Sequence, residues 1–127
     1  MAKKIPRPTE AELAILRTLW RHGPGTVRQI HEQLAAGAGY TTTLKFLQIM
    51  AEKGLVTRDE SERAHVYRPA LAEEETQRRL LDDLLDRAFG GSAQKLVLQA
   101  LSTRKPSAAE RAAIRNLLDT LEDGPTR

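Results

Sequence analysis

Apolar residues recur along most of the chain at three- and four-residue spacing, the period of a helix that buries one face. Leu13, Leu16, Leu19 and Trp20 form the first stripe. It opens on Thr9 with Glu12 three places later, a capping box in which each side chain satisfies the other residue's free backbone N–H. Gly23-Pro24-Gly25 ends it, and Thr26 with Gln29 begins the same arrangement again, with Val27, Ile30 and Leu34 as a short stripe before Gly37-Ala38-Gly39. A third helix is expected from about residues 41 to 43 up to Gly54, whose lack of Cβ suits the left-handed position past a helix end. Leu44, Leu47, Met50 and Ala51 mark its buried side, with Phe46 flanking; Thr41, Lys45, Gln48 and Glu52 share the opposite face.

After Gly54 the period changes. Leu55-Val56-Thr57-Arg58 and Ala64-His65-Val66-Tyr67-Arg68 are rich in strand formers and flank the polar run Asp59-Glu60-Ser61-Glu62-Arg63, which reads as a β-hairpin closed by Pro69. Helical spacing resumes near Glu73. Leu80, Leu81, Leu84, Leu85, Ala88 and Phe89 run to Gly90-Gly91; Leu96, Val97, Ala100 and Leu101 follow Ser92; Ile114, Leu117, Leu118 and Leu121 follow a Ser107–Glu110 capping box. From Asp123 the sequence reads as a tail.

Three helices and then a hairpin is the order of a winged helix-turn-helix, in which the third helix enters the DNA major groove and the hairpin lies along the phosphates. The fold class expected is therefore mainly α with a small β-hairpin wing: a winged helix-turn-helix DNA-binding domain over 1–70 and a three-helix dimerisation domain over 71–127. Residues 41 to 52 supply both faces that a recognition helix needs. Thr41, Thr42 and Thr43 at its start can set hydroxyls on phosphates, and Lys45 and Gln48 can reach phosphates or base edges. The plainer reading of this stripe is an ordinary solvated face. Arg28 stands open between phosphate contact and solvation, and Arg63 at the wing is cationic among Glu60 and Glu62.

Composition narrows this further. At 127 residues the chain fits one ordinary domain or two very small ones, and its 4% aromatic share suits an Ala/Leu-rich helical protein. Residues 1–69 hold 11 Lys/Arg against 7 Asp/Glu, residues 70–127 hold 9 against 10, so the first half is the candidate polyanion binder. With no cysteine there is no disulfide, thiolate metal site or cysteine nucleophile. Without a signal peptide or a spanning apolar run, a cytoplasmic protein without membrane insertion is expected.

His22, His31 and His65 are far apart and lack the H-E-x-x-H pattern, so no metal site is expected. There is no phosphate-binding glycine loop and no catalytic constellation; no cofactor and no enzyme activity are expected. The wide leucine stripes of the second half are too much apolar surface for some 50 helical residues to cover alone. Leu81, Leu84, Leu85, Leu98, Leu101, Ile114, Leu117, Leu118 and Leu121 thus point to a homodimer; the other reading packs these helices back on the N-terminal unit.

Beyond the spacing, the chain resembles the BlaI/MecI/CopY penicillinase repressor family. The resemblance rests on the run from Pro8 to Leu16 with Leu19-Trp20, on Thr26-Val27-Arg28-Gln29-Ile30, on Gly39-Tyr40-Thr41-Thr42-Thr43-Leu44-Lys45 and on Glu52-Lys53-Gly54-Leu55-Val56. It continues through Arg63-Ala64-His65-Val66-Tyr67, Glu74-Glu75-Thr76, Phe89-Gly90-Gly91-Ser92 and Leu96-Val97-Leu98. It implies a homodimeric repressor binding a dyad double-stranded DNA operator through Thr41, Thr42, Lys45 and the wing around Arg63. It further implies control of β-lactam-response genes, with a membrane sensor metallopeptidase encoded nearby and release by cleavage in the dimerisation region.

The bond cut in such repressors aligns near Gln99-Ala100, where the Asn-Phe expected for that cleavage is absent. Copper-sensing relatives carry C-terminal cysteines and this chain has none. Gln48-Ile49 stands where basic residues are common, and Glu62 where a wing glycine is expected. A winged-helix adaptor that binds protein rather than DNA is the alternative from another functional class.

Overall fold

The computed structural model describes residues 5–34, 37 and 39–123. In order these form α1 (Glu10–His22), α2 (Val27–Gln33), α3 (Tyr40–Lys53), β1 (Val56–Asp59), β2 (Val66–Pro69), α4 (Glu73–Phe89), α5 (Ala93–Thr103) and α6 (Ala108–Asp123). Lys3 and Lys4, Ala38 of the glycine-flanked turn and the tail after Asp123 lie outside the described residues. The chain divides into two compact units, 1–82 and 83–127, that part inside α4.

All three capping boxes form. Glu12 N–H donates to Thr9 Oγ1 at 3.2 Å while Thr9 N–H donates to Glu12 Oε1 at 2.9 Å, and the same reciprocal pairs join Thr26 with Gln29 and Ser107 with Glu110. Helix α3 starts at Tyr40, slightly before the expected start, on Gly39, which offers no side-chain cap. It stops at Gly54, with φ +86°, where Leu55 N–H reaches back to the Met50 carbonyl at 2.9 Å. A Cβ at that φ is strained, which is why the helix ends on glycine.

One apolar core holds the first unit. Ile15, Leu16 and Leu19 of α1 meet Val27 and Ile30 of α2, Leu47 and Met50 of α3, and Leu55, Val56 and Tyr67 of the hairpin. The phase of α1 differs from the expected stripe, since Ile15 is buried and Leu13 only half-buried. Each such fully buried side chain contributes about 1.5–3 kcal/mol relative to exposure.

The strands are displaced by about one residue from the expected runs. Their antiparallel register sets Arg58 opposite Tyr67 and Thr57 opposite Arg68, so Val56, Arg58 and Tyr67 share one face, on which Val56 and Tyr67 are buried and Arg58 is exposed. Gly25 adds a further edge to β2: its N–H donates to the Tyr67 carbonyl at 3.0 Å and its carbonyl accepts from Tyr67 N–H at 2.8 Å. The turn after α1 is thereby tied to the wing. A Cβ at Gly25 would come within 3.3 Å of Gln29 Oε1, in the second capping box.

Within the same unit Trp20 Nε1–H donates to the Leu71 carbonyl at 3.1 Å, and Thr76 of α4 is buried. In the second unit, by contrast, no residue from 83 to 122 is buried.

A buried carboxylate joins the start of α1 to the end of α3. Glu12 is 2% exposed and accepts from Lys53 Nζ at 2.7 Å. Burial pushes its carboxyl up, but the Lys53 hydrogen bond, the Thr9 backbone N–H and the Lys53 charge outweigh that and hold it below its ordinary value of 4.5. A carboxyl whose folded pKa is depressed adds stability above its unfolded pKa and loses it as pH falls through the folded pKa. Glu12→Gln keeps the capping box while removing the charge. It is predicted to destabilise the protein by about 1–3 kcal/mol at pH 7 and by clearly less at pH 3. Urea denaturation at both pH values measures this; an equal deficit at pH 3 contradicts it.

Candidate nucleic-acid interface

Because Leu47 and Met50 are fully buried, the 100° step per residue turns the other side of α3 outward. Thr41, Thr42, Lys45, Gln48 and Glu52 are all exposed there. The first turn carries no acidic residue and no side-chain cap, which leaves backbone N–H groups and the positive end of the helix dipole open to an anion. Among the described residues Lys45 forms no ion pair.

Thr43 departs from the expectation. It is 2% exposed, and its hydroxyl lies 3.0 Å from His31 Nδ1 and donates to the Gly39 carbonyl at 3.4 Å. The reason is spacing: Thr43 stands four residues before Leu47 and seven before Met50, on the core side of the helix. It supports α3 from behind.

Arg28, Gln48 and Arg63 line one open groove of about 500 Å³ together with Tyr40, Arg58 and His65. This groove brings α2, α3 and the wing to a single surface. Arg28 is exposed, its guanidinium 5.6 Å from the centre of the Tyr40 ring, within cation–π range. His31 meets the same ring edge-on, with centroids 5.9 Å apart and planes at 79°.

The wing arginines differ from one another. Arg58 is held toward its charged form first by its hydrogen bond to the Tyr67 hydroxyl and then by Glu60, whose Oε2 is 2.7 Å from Nη2. Arg68 lies 3.6 Å from Asp59. The Asp59 carboxyl is held below its usual range first by Ser61, whose backbone N–H donates to it at 2.9 Å, and then by Arg68. Arg63, at the exposed tip, makes no ion pair among the described residues. Wing charge available to an anion is thus concentrated at Arg63.

Tyr40, His31, Arg58 and His65 join the expected site residues on or behind this surface. In the sequence Tyr40 is marked by its place directly before the threonines, and His31 carries only an incomplete metal-ligand pattern. Among the described residues no three His, Cys, Asp or Glu side chains gather where a metal ion could be held, and no helix is long and apolar enough to cross a membrane.

Of the residues expected at a dimer interface, Leu81, Leu84, Leu98, Leu117, Leu118 and Leu121 are exposed, the last at 64%. Leu85, Leu101 and Ile114 are half-buried. Gln99 and Ala100 are exposed but lie inside α5, whose hydrogen bonds a protease would have to open.

Comparison with known proteins gives a consistent answer. The sequence pattern of the penicillinase repressors matches residues 8–120. The transcriptional regulator BlaI of Mycobacterium tuberculosis is 36% identical over 124 residues, covering 95% of this chain and 89% of the relative. The penicillinase repressor of Bacillus licheniformis is 25% identical over 127 residues, covering 98% and 97%. Among solved structures, the DNA-binding domain of the repressor BlaI matches with a TM-score of 0.51 at 25% identity, over 58% of this chain and 93% of that one. The monomeric form of Bacillus licheniformis BlaI in complex with the blaP half-operator matches with a TM-score of 0.50, at the same identity and coverage. With the family pattern running through the winged unit and on into α6, this chain belongs to the penicillinase repressor family.

Proposed function

We propose that the chain is a transcriptional repressor that binds a dyad operator in double-stranded DNA as a homodimer. The observation that carries this is the exposed Thr41, Thr42, Lys45 and Gln48 face of α3, beside a groove that gathers Arg28, Arg58 and Arg63. Lys45 and Gln48 are placed to read base edges, while Thr41, Thr42, Arg28 and Arg63 take phosphates. Thr43 is left out of the contact set because its hydroxyl is engaged inside the protein. The relative bound to the blaP half-operator supports DNA as the ligand.

We assign 1–70 to DNA binding and 71–127 to dimerisation. The leucines of α4, α5 and α6 support this, since Leu81, Leu84, Leu98, Leu117, Leu118 and Leu121 are each about half exposed or more, an amount of uncovered apolar surface that usually marks an interaction site. A two-fold axis would then offer two copies of α3 to half-sites ~34–36 Å apart or a multiple of it. Release by a membrane sensor metallopeptidase in a β-lactam response fits the family. In this chain such cleavage requires α5 to unwind at Gln99-Ala100.

The test starts with selection of duplexes by the purified full chain from a random library, followed by anisotropy titrations of the enriched duplex and a scrambled one at two salt concentrations. Specific, salt-steep binding with two protomers per site is expected, log K falling by about 0.9 per phosphate neutralised for each unit of log salt. Failure to enrich any sequence overturns the reading in favour of the protein-binding adaptor. Lys45→Ala is predicted to cost about 1–3 kcal/mol on the enriched duplex and less on the scrambled one if Lys45 reads a base; unchanged affinity removes Lys45 from the interface.

Leu118→Asp is predicted to yield monomers by light scattering, with operator affinity falling accordingly. A mutant that remains dimeric rules out α6 as part of the interface.

A further inference from the structure

Helix α3 begins without the side-chain cap that α1 and α2 both have, and α2, only seven residues long, is too short to hold its own shape by local hydrogen bonding. Both gaps meet at one residue. His31, in the last turn of α2 and half-buried, touches α3 twice: Nδ1 lies 3.0 Å from the buried Thr43 hydroxyl, and its ring packs edge-on against Tyr40. Tyr40 in turn carries the Arg28 guanidinium on its ring at 5.6 Å. Arg28 stands three residues before His31, on the same side of α2, so the four side chains form a chain of contacts, Thr43 to His31 to Tyr40 to Arg28, that joins the two helices.

We infer that His31 is a positioning residue for DNA recognition, fixing the first turn of α3 through Thr43 and presenting Arg28 to phosphate through the Tyr40 ring. The inference rests on the DNA-binding reading above. Arg28, a long and exposed cation, would otherwise sample many rotamers, and confining it beforehand lowers the ordering cost of the phosphate contact. Tyr40 is 42% exposed, more than core packing requires of an aromatic ring, which fits its use as a platform. His31 does not touch the DNA in this arrangement; its effect passes through Tyr40 and Arg28.

The experiment is a double-mutant cycle in the full chain, read by anisotropy on the library-enriched duplex at two salt concentrations. His31→Gln retains helix propensity and polarity but removes the ring and moves the polar atom that faces Thr43. Arg28→Ala is expected to weaken binding roughly three- to tenfold and to flatten the salt slope by about 0.9, as for one lost phosphate contact. His31→Gln should do the same in part, and in the Arg28→Ala background it should cost much less than it does alone. That non-additivity, with the shared change in salt slope, is a readout that general loss of stability would not produce.

Should His31→Gln lower the folded fraction by circular dichroism, Tyr40→Leu at the exposed ring position supplies the cycle instead, with the same coupling expected. Wild-type binding by the chosen variant, or a loss that persists undiminished without Arg28, overturns the inference while the DNA-binding reading stands. A wild-type chain that enriches no duplex overturns that reading, and the inference falls with it.

Discussion

Burial of Leu47 and Met50 in a core shared by three helices and the hairpin is the constraint on which the rest of the winged unit depends. Those two side chains set the roll of α3 about its own axis, and the roll decides which residues point outward. At 100° per residue, a shift of one position would bring Gln48 toward the core and leave a buried amide without partners, at a cost of about 1–3 kcal/mol. The apolar face therefore selects the polar one. It does not fix the helix along its length, and there polar contacts act at the two ends. Lys53 reaches the buried Glu12 at one end, and Thr43 and Tyr40 meet His31 at the other.

The wing follows from the same core through Tyr67. Its backbone pairs with both β1 and Gly25 and its ring is buried, so one residue ties the hairpin to the helices. Charge in the wing is then shared unequally. Glu60 and Asp59 stand against Arg58 and Arg68, exposed ion pairs worth little to stability, yet each carboxylate competes with phosphate for its arginine. The wing accordingly offers less net attraction than its arginine content suggests, and in the proposed complex more of the affinity would rest on α3 and Arg28.

Much of this was legible in the sequence because the governing signals are local. Capping boxes join residues three apart, and a glycine stop and a change of period from helix to strand need no knowledge of the fold. What was hidden depends on residues far apart in sequence. The Glu12–Lys53 pair and the Trp20–Leu71 hydrogen bond span 41 and 51 positions, and nothing in either local segment announces the other. The placement of Thr43 is a different case, because its spacing to Leu47 and Met50 already set it on the core side. Its two threonine neighbours made a run of three look alike, although successive residues on a helix point in different directions. His31 was hidden by its chemistry: a histidine invites a search for metal partners, and its contacts here are a hydroxyl and a ring.

The second unit presents the converse problem. Its helices carry clear caps and periodic leucines, yet Leu117, Leu118 and Leu121 are each more than half exposed. Three such side chains on one short helix face cannot be offset by i, i+4 ion pairs worth about 0.2–0.5 kcal/mol each. A helix of this kind gains most of its stability from whatever covers that face, and in the proposed dimer the cover is the same face of a second copy. The consequence reaches the DNA. In the proposed complex, a winged unit that neutralises only a few phosphates would bind a half-site alone with modest affinity. Once one protomer is bound, the second binds its half-site from a high effective concentration. In the proposed dimer, operator occupancy would then depend on the leucines of the second unit as well as on the lysine and arginines of the first, and disruption of the helical region would be a route to release.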